Sequence, residues 1–292
     1  MDILVLLLLV CASRLPGILL GLAGITQPGW LSAMQGALML LFCVAGFPLR
    51  QLSPLRRLSA SLAAIILLQE GGRILSAQRF WRSRFGLGTL AGSLGSGITL
   101  KALSAACMTV FLLLALRSAK AAYLVPGDLT VRAKRIAWLG INGDRIPWGR
   151  LSVISAVLIS LGTVLLTVVT VTGFRLPSGW KDWAGMIPLL LLYAAINAIS
   201  EGILYRNGIL GPLQGILPDH RAALGAAILF GLAHFEGAPG GPLGVVMSGL
   251  LGWYMCRSMV ETKGFAAAWI IHFMQDFVIF SSLFLLNGQL TG

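Results

Sequence analysis

The stretch LLLLYAAINAISEGILYRNGIL, residues 189–210, decides the class of this chain. No charged residue lies between Asp182 and Glu201, and then Glu201 and Arg206 appear inside the same apolar run. A helix of about 20 apolar residues crosses the ~30 Å hydrocarbon core of a bilayer. The rest of the chain is equally apolar: of 292 residues, 57% are hydrophobic and 11% charged, where a soluble domain carries roughly 25% charged residues. Composition therefore implies a polytopic membrane protein. Backbone groups in lipid need internal partners, and the segments are too long for barrel strands, so the expected fold is all-α.

Candidate spans fall near 3–24, 31–49, 58–76, 98–116, 150–173, 184–206, 221–236, 242–260 and 265–287, an expectation of eight or nine transmembrane helices. The opening MDILVLLLLVCASRLPG lacks a basic leader and reads as a first membrane helix rather than a signal peptide. Loops are marked by Pro and Gly, as in FPLRQLSPLRR, LVPGDLTVRAKR and EGAPGGPLG. AGSLGSGITL lacks the lysine of a phosphate loop, and its small residues suit close helix packing. The four cysteines, Cys11, Cys43, Cys107 and Cys256, show no CxxC or Cys/His spacing, so neither a zinc site nor a disulfide framework is indicated.

The net charge of +12 sits in short loops between apolar segments. That distribution suits anionic lipid head groups as partners and argues against nucleic acid. Arg50, Arg56 and Arg57 share one connection, and Arg117, Lys120, Arg132, Lys134, Arg135, Arg145 and Arg150 share another. With both cytoplasmic, the N-terminus is inside and Arg206, Arg221, Arg257 and Lys263 fall on the same side. Arg79, Arg82 and Arg84 would face outward, and SAQRFWRSRFG reads as an interfacial amphipathic piece.

Ionisable residues within a span mark a functional site by default. Glu201, His234, His272 and Asp276 all lie in apolar segments. His272 and Asp276 are four residues apart and share a helix face, as do Asn197 with Glu201 and Phe230 with His234. Three late helices thus each present one polar face, and such faces turn towards each other or towards a wet cavity. The chemistry this group supports is hydrolysis. A glutamate beside a histidine takes a proton from water, and a second histidine with an acid on a facing helix holds an oxyanion.

Three segments in order, Glu201-Gly-Ile-Leu-Tyr-Arg206, Phe230-Gly-Leu-Ala-His234 and His272-Phe-Met-Gln-Asp276, carry a family resemblance. They resemble the E-E-x-x-x-R, F-x-x-x-H and H-x-x-x-N motifs of the CPBP (ABI) glutamic intramembrane proteases, which include the type II CAAX prenyl endopeptidases. The resemblance covers roughly residues 184–287. It implies an endopeptidase acting on a membrane-associated protein or peptide, with Glu201 as the base that activates water and His234 helping to hold that water. His272 and Asp276 match the pair proposed to stabilise the oxyanion, and Arg206 matches the motif arginine, expected to anchor the helix end at the interface. Asn197 and Phe230 are supporting residues. Two positions depart from the pattern: Gly202 replaces the second glutamate, and Asp276 stands where asparagine is expected, so that it either donates in protonated form or orients His272.

A metal-dependent protease using zinc is the nearest rival, but no HExxH is present and the resemblance implies no cofactor. His234-Phe-Glu236 echoes a zinc deaminase without its PCxxC, and GVVMSG is not the GxSG of a rhomboid serine protease. A non-catalytic scaffold or chaperone on the same fold and a proton-relay transporter are the non-hydrolytic alternatives. Glu70 and Arg73 read as a local pair. The chain divides by role into residues 1–175, N-terminal helices of unassigned function, and 176–292, a catalytic helical core within one membrane domain. The expected location is a prokaryotic cell membrane.

Overall fold

The computed structural model describes residues 1–86, 89–143, 145–169, 180–237 and 240–290. Among them the chain is all-helical, with no strand and only two isolated bridges, Arg132–Pro147 and Ile136–Ile141, in one connection. The helices are α1 (Asp2–Ala12), α2 (Leu15–Leu22), α3 (Leu31–Ala45), α4 (Arg56–Ala77), α5 (Arg79–Phe85) and α6 (Leu90–Leu116). There follow α7 (Trp148–Thr167), α8 (Trp180–Glu201), a π-helical turn over Gly202–Asn207, α9 (Gly208–Leu213), α10 (Asp219–Leu232), α11 (Gly241–Thr262) and α12 (Ala266–Leu290).

Six segments are long and apolar enough to cross a membrane, or seven if α1 and α2 form one span bent by 60°. The expected eight or nine spans included 3–24, 31–49 and 221–236. The first of these breaks after Ala12, where the Gln35 amide donates to the freed carbonyls of Cys11 and Ser13 at 2.7 and 2.9 Å. The second forms a helix of 15 residues and the third one of 14. At 1.5 Å per residue these reach only about 21–22 Å, short of the ~30 Å core. The end of the expected span 150–173 and the expected role boundary at 175 fall outside the described residues.

Contacts between connections sort the loops into two ends. Asn207 donates to the carbonyls of Ala122 and Tyr123, both at 2.9 Å, and the Thr262 carbonyl accepts from Asp128 N at 2.8 Å. An Arg221–Asp2 ion pair brings the N-terminus to this same end. Arg117, Lys120, Arg132, Lys134, Arg135, Arg257 and Lys263 therefore gather together, as the charge pattern predicts. The opposite end carries α5, a helix of seven residues with Trp81 turned inward, its indole donating to Ser96 Oγ at 2.8 Å. Arg79, Arg82 and Arg84 stay exposed around it, the form of an interfacial piece.

One large hydrophobic cluster runs from Val5 and Leu58 through Met108, Trp148 and Ile209 to Met259 and Ile271. It joins the early helices to the late ones without a break. Small residues set the helix spacing. A Cβ at Gly231 on α10 would lie 2.6 Å from the Val245 carbonyl of α11, and one at Gly252 would lie 2.9 Å from the Phe230 ring. Gly95 of AGSLGSGITL likewise abuts the Tyr193 hydroxyl of α8. Such close approach is how helices associate where lipid removes the hydrophobic drive between them.

Candidate active site

Glu201 ends the regular part of α8, and the next six residues widen into a π turn. Extra residues in a turn of this kind redirect side chains and recur at functional sites. Here the turn lets Arg206 fold back inward. Arg206 is 1% exposed, so it does not mark the membrane interface as the sequence suggests; its Nη2 donates to His272 Nδ1 at 3.1 Å and to the Ala198 carbonyl at 3.4 Å. A guanidinium donates only, so His272 Nδ1 accepts, and a neutral His272 carries its proton on Nε2. That N–H faces two carboxylates at once, Glu201 Oε2 and Asp276 Oδ1, each 3.5 Å away.

Asn197, one turn before Glu201, donates from Nδ2 to Asp276 Oδ2 at 3.0 Å. Both Asp276 oxygens thus face donors. Asp276 Oδ1 lies close enough to the His272 ring for the orienting role, the second of the two open to it from sequence. Asn197, Glu201, Arg206, His272 and Asp276 are all buried, although they come from α8, the π turn and α12. The i to i+4 spacings on α8 and α12 account for their meeting: each helix turns its one polar stripe to the other.

His234 stands beside this cluster rather than in it. Its Nδ1 donates to the Phe230 carbonyl of its own helix at 2.8 Å, which leaves Nε2 with a free lone pair when the ring is neutral. The Phe230 ring connects the two histidines: its centroid lies 4.4 Å from that of His234 and 5.8 Å from that of His272, edge-on. Gly252 provides the space in which Phe230 sits.

One residue of the cluster was missed from sequence. Lys101, near the middle of the 27-residue α6, donates from Nζ to Glu201 Oε1 at 2.5 Å and to Asn197 Oδ1 at 2.8 Å. It is the sole charge between Arg84 and Arg117, a signal that an expected span of 98–116 hid by placing it near a helix end. The true helix starts at Leu90 and sets Lys101 at membrane depth.

A cavity of about 340 Å³ opens beside the cluster, between the early helices and the π turn. Leu62, Ile65 and Leu229 line it with Tyr205 and Ala233, the neighbours of Arg206 and His234, and Gln69 donates to the Tyr205 hydroxyl at 2.7 Å. Glu70 and Arg73 line it too and pair with each other at 2.5 Å, the local pair expected from their spacing. Among the described residues no group of three His, Cys, Asp or Glu side chains is placed to hold a metal ion.

No curated protein and no solved structure matches the chain. Residues 183–278, which contain Glu201, Arg206, His234, His272 and Asp276, match the family model described as type II CAAX prenyl endopeptidase Rce1-like. A member of that family is a protease acting on a membrane-associated protein. The match is consistent with a CPBP family protease.

Proposed function

We propose that this chain is an intramembrane endopeptidase that hydrolyses a peptide bond of a membrane-associated protein or peptide with water activated by Glu201 and His234. The observation that carries the reading is the meeting of Glu201, His272 and Asp276 in one buried polar cluster, with His234 one ring away, inside the family-matched segment. Glu201 keeps lone pairs beyond those facing Lys101 and His272, and His234 Nε2 is a second acceptor. A water held between them attacks the scissile carbonyl carbon and gives its proton to Glu201. The Nε2–H of His272 then donates to the oxyanion, and the proton passes from Glu201 to the leaving amine as the C–N bond breaks.

The mechanism is metal-independent. Lys101 and Arg206 direct N–H groups at Glu201 Oε1 and His272 Nδ1, so neither of these two atoms is open to a zinc ion. Residues 176–292 supply the four proposed catalytic side chains. Residues 1–175 supply most of the cavity wall, with Tyr205, Ile209, Leu229 and Ala233 completing it, and the substrate segment enters there. The basic end faces the cytoplasm of a prokaryotic cell, against anionic head groups.

The test uses the full chain purified in detergent micelles and two internally quenched peptides of one sequence, with and without a farnesylated CAAX end. Wild type is expected to cleave at least one. Glu201→Gln and His234→Ala are expected to fall by about 10²–10⁴-fold, His234→Ala with unchanged melting temperature and Glu201→Gln still folded but melting lower because Lys101 loses its carboxylate. A chelator is expected to leave the rate intact. A folded wild type that cleaves neither peptide overturns the reading, as does an active Glu201→Gln. Zinc-restorable loss on chelation replaces it with a metal mechanism.

A further inference from the structure

We propose that Lys101 is a positioning residue of this site, holding Glu201 in place and supplying the positive charge that lets an aspartate occupy position 276. The inference deepens the hydrolase reading and rests on it for its kinetic arm.

Five side chains close a ring. Lys101 donates to Glu201 and to Asn197; Asn197 donates to Asp276; the Nε2–H of His272 faces both Asp276 and Glu201. The ring draws on α6, α8 and α12, so the early half of the chain contributes a residue to the late half's chemistry. Counted with Arg206, which stands outside the ring on His272 Nδ1, the formal charges balance: two cations, Lys101 and Arg206, against two carboxyl groups, Glu201 and Asp276. Without Lys101, two buried carboxylates share one imidazole N–H, and the remaining cation, Arg206, lies on the far side of that ring. Removing one partner from a buried charge group leaves the other uncompensated and is strongly unfavourable.

The geometry also says what Lys101 does for the base. Its ammonium fixes Oε1 of Glu201, and Oε2 is then held towards His272. A carboxylate that is free to rotate would present its lone pairs to the attacking water only part of the time. The side chain of Lys101 is 43% exposed, yet its ammonium reaches inward to two acceptors, the reverse of a lysine that extends towards an interface. A charge inside a span without a partner is costly, which accounts for its engagement with two acceptors.

The experiment compares Lys101→Met, Lys101→Arg, Asp276→Asn and Lys101→Met/Asp276→Asn with wild type and Glu201→Gln, in micelles on the same quenched peptides. Melting temperature is read in parallel. Lys101→Met is expected to lower kcat about 100-fold with KM within about threefold, and Lys101→Arg is expected to retain most of the rate because it keeps the charge. The double variant, with the excess negative charge gone, is expected to recover about tenfold over Lys101→Met and to regain its lost melting temperature. A lysine that merely packs α6 would shift melting temperature alone, and neither Asp276→Asn nor arginine would rescue kcat. If Lys101→Met keeps the wild-type kcat while Glu201→Gln is inactive, this proposal falls and the hydrolase reading stands. If Glu201→Gln is active, the hydrolase reading falls. The melting temperatures then decide charge compensation alone, and additive losses in the double variant overturn it.

Discussion

The guanidinium of Arg206 donates to Nδ1 of His272 at 3.1 Å from five residues beyond Glu201 on the same stretch of chain. One residue of the first motif thereby sets the tautomer of a residue in the third. Arg206→Met is expected to lower activity about 10²-fold and to destabilise the fold by roughly 3–5 kcal/mol, the cost of breaking a buried charged network. Arg206→Lys keeps the charge but loses the planar reach, and is expected to recover stability more than activity. Thermal unfolding in micelles beside the peptide assay separates the two effects. Equal recovery of both would show that Arg206 acts only as a counter-charge.

Gly202 offers a second experiment on the same guanidinium. Nε and Nη1 of Arg206 are buried with no hydrogen-bond partner among protein groups, and a Cβ built on Gly202 would stand 2.9 Å from Nη2. A carboxylate at 202 would therefore arrive against the Nη2 that donates to His272, with the unpaired Nε next nearest. Gly202→Glu is expected to hold or raise the melting temperature and to lower kcat severalfold, because Arg206 is drawn away from His272. Gly202→Ala, which crowds the guanidinium without pairing it, is expected to cost about 1 kcal/mol. A Gly202→Glu protein that melts several degrees below Gly202→Ala would show that the pocket has no room for the acid.

Membrane class and the polar faces of α8 and α12 were legible in the sequence because both follow from local spacing and solvation cost. Asn197 with Glu201 and His272 with Asp276 needed only the i to i+4 rule, and Phe230 with His234 needed the same. Three features were not legible. The π turn that brings Arg206 inward is a departure from regular helix that no apolar periodicity announces. The break between Ala12 and Leu15 depends on a distant glutamine side chain, Gln35, to satisfy it. Lys101 was hidden by a boundary: the span was expected to begin at residue 98, yet AGSLGSG forms the first turns of α6. Its small residues signalled close helix packing, as Gly95 against Tyr193 shows, but not where the helix starts.

Helix spacing can be tested away from the site. Gly231 on α10 faces the Val245 carbonyl and the backbone of Gly249 on α11, so a side chain there has to push two backbones apart. Gly231→Val is expected to destabilise the fold by about 1–3 kcal/mol. It should also reduce activity, since the same displacement moves Phe230 and with it the ring between the two histidines. Gly162 on α7 has open space where its Cβ would lie, and Gly162→Val is the matched control. Equal melting temperatures for the two variants would contradict the packing described for α10 and α11.

Glu261 fastens the basic connection between α6 and α7 to α11. Its carboxylate accepts from the Trp148 indole at 2.8 Å, from the backbone of Lys134 at 2.9 Å and from Arg257 Nε at 2.8 Å. Three donors on one mostly buried acid tie the start of α7 and the loop before it to the end of α11. Glu261→Ala leaves the buried Trp148 indole without this acceptor, at about 1–3 kcal/mol, and releases the exposed Lys134 amide. The loop, rich in arginine and lysine, is expected to become the first site of tryptic cleavage while the catalytic cluster stays intact. Trypsin added to right-side-out and inverted vesicles reads both consequences at once. Cleavage of Glu261→Ala well before wild type, and only in inverted vesicles, is the expected result. Cleavage in right-side-out vesicles would place the basic end outside and reverse the orientation read from its charge.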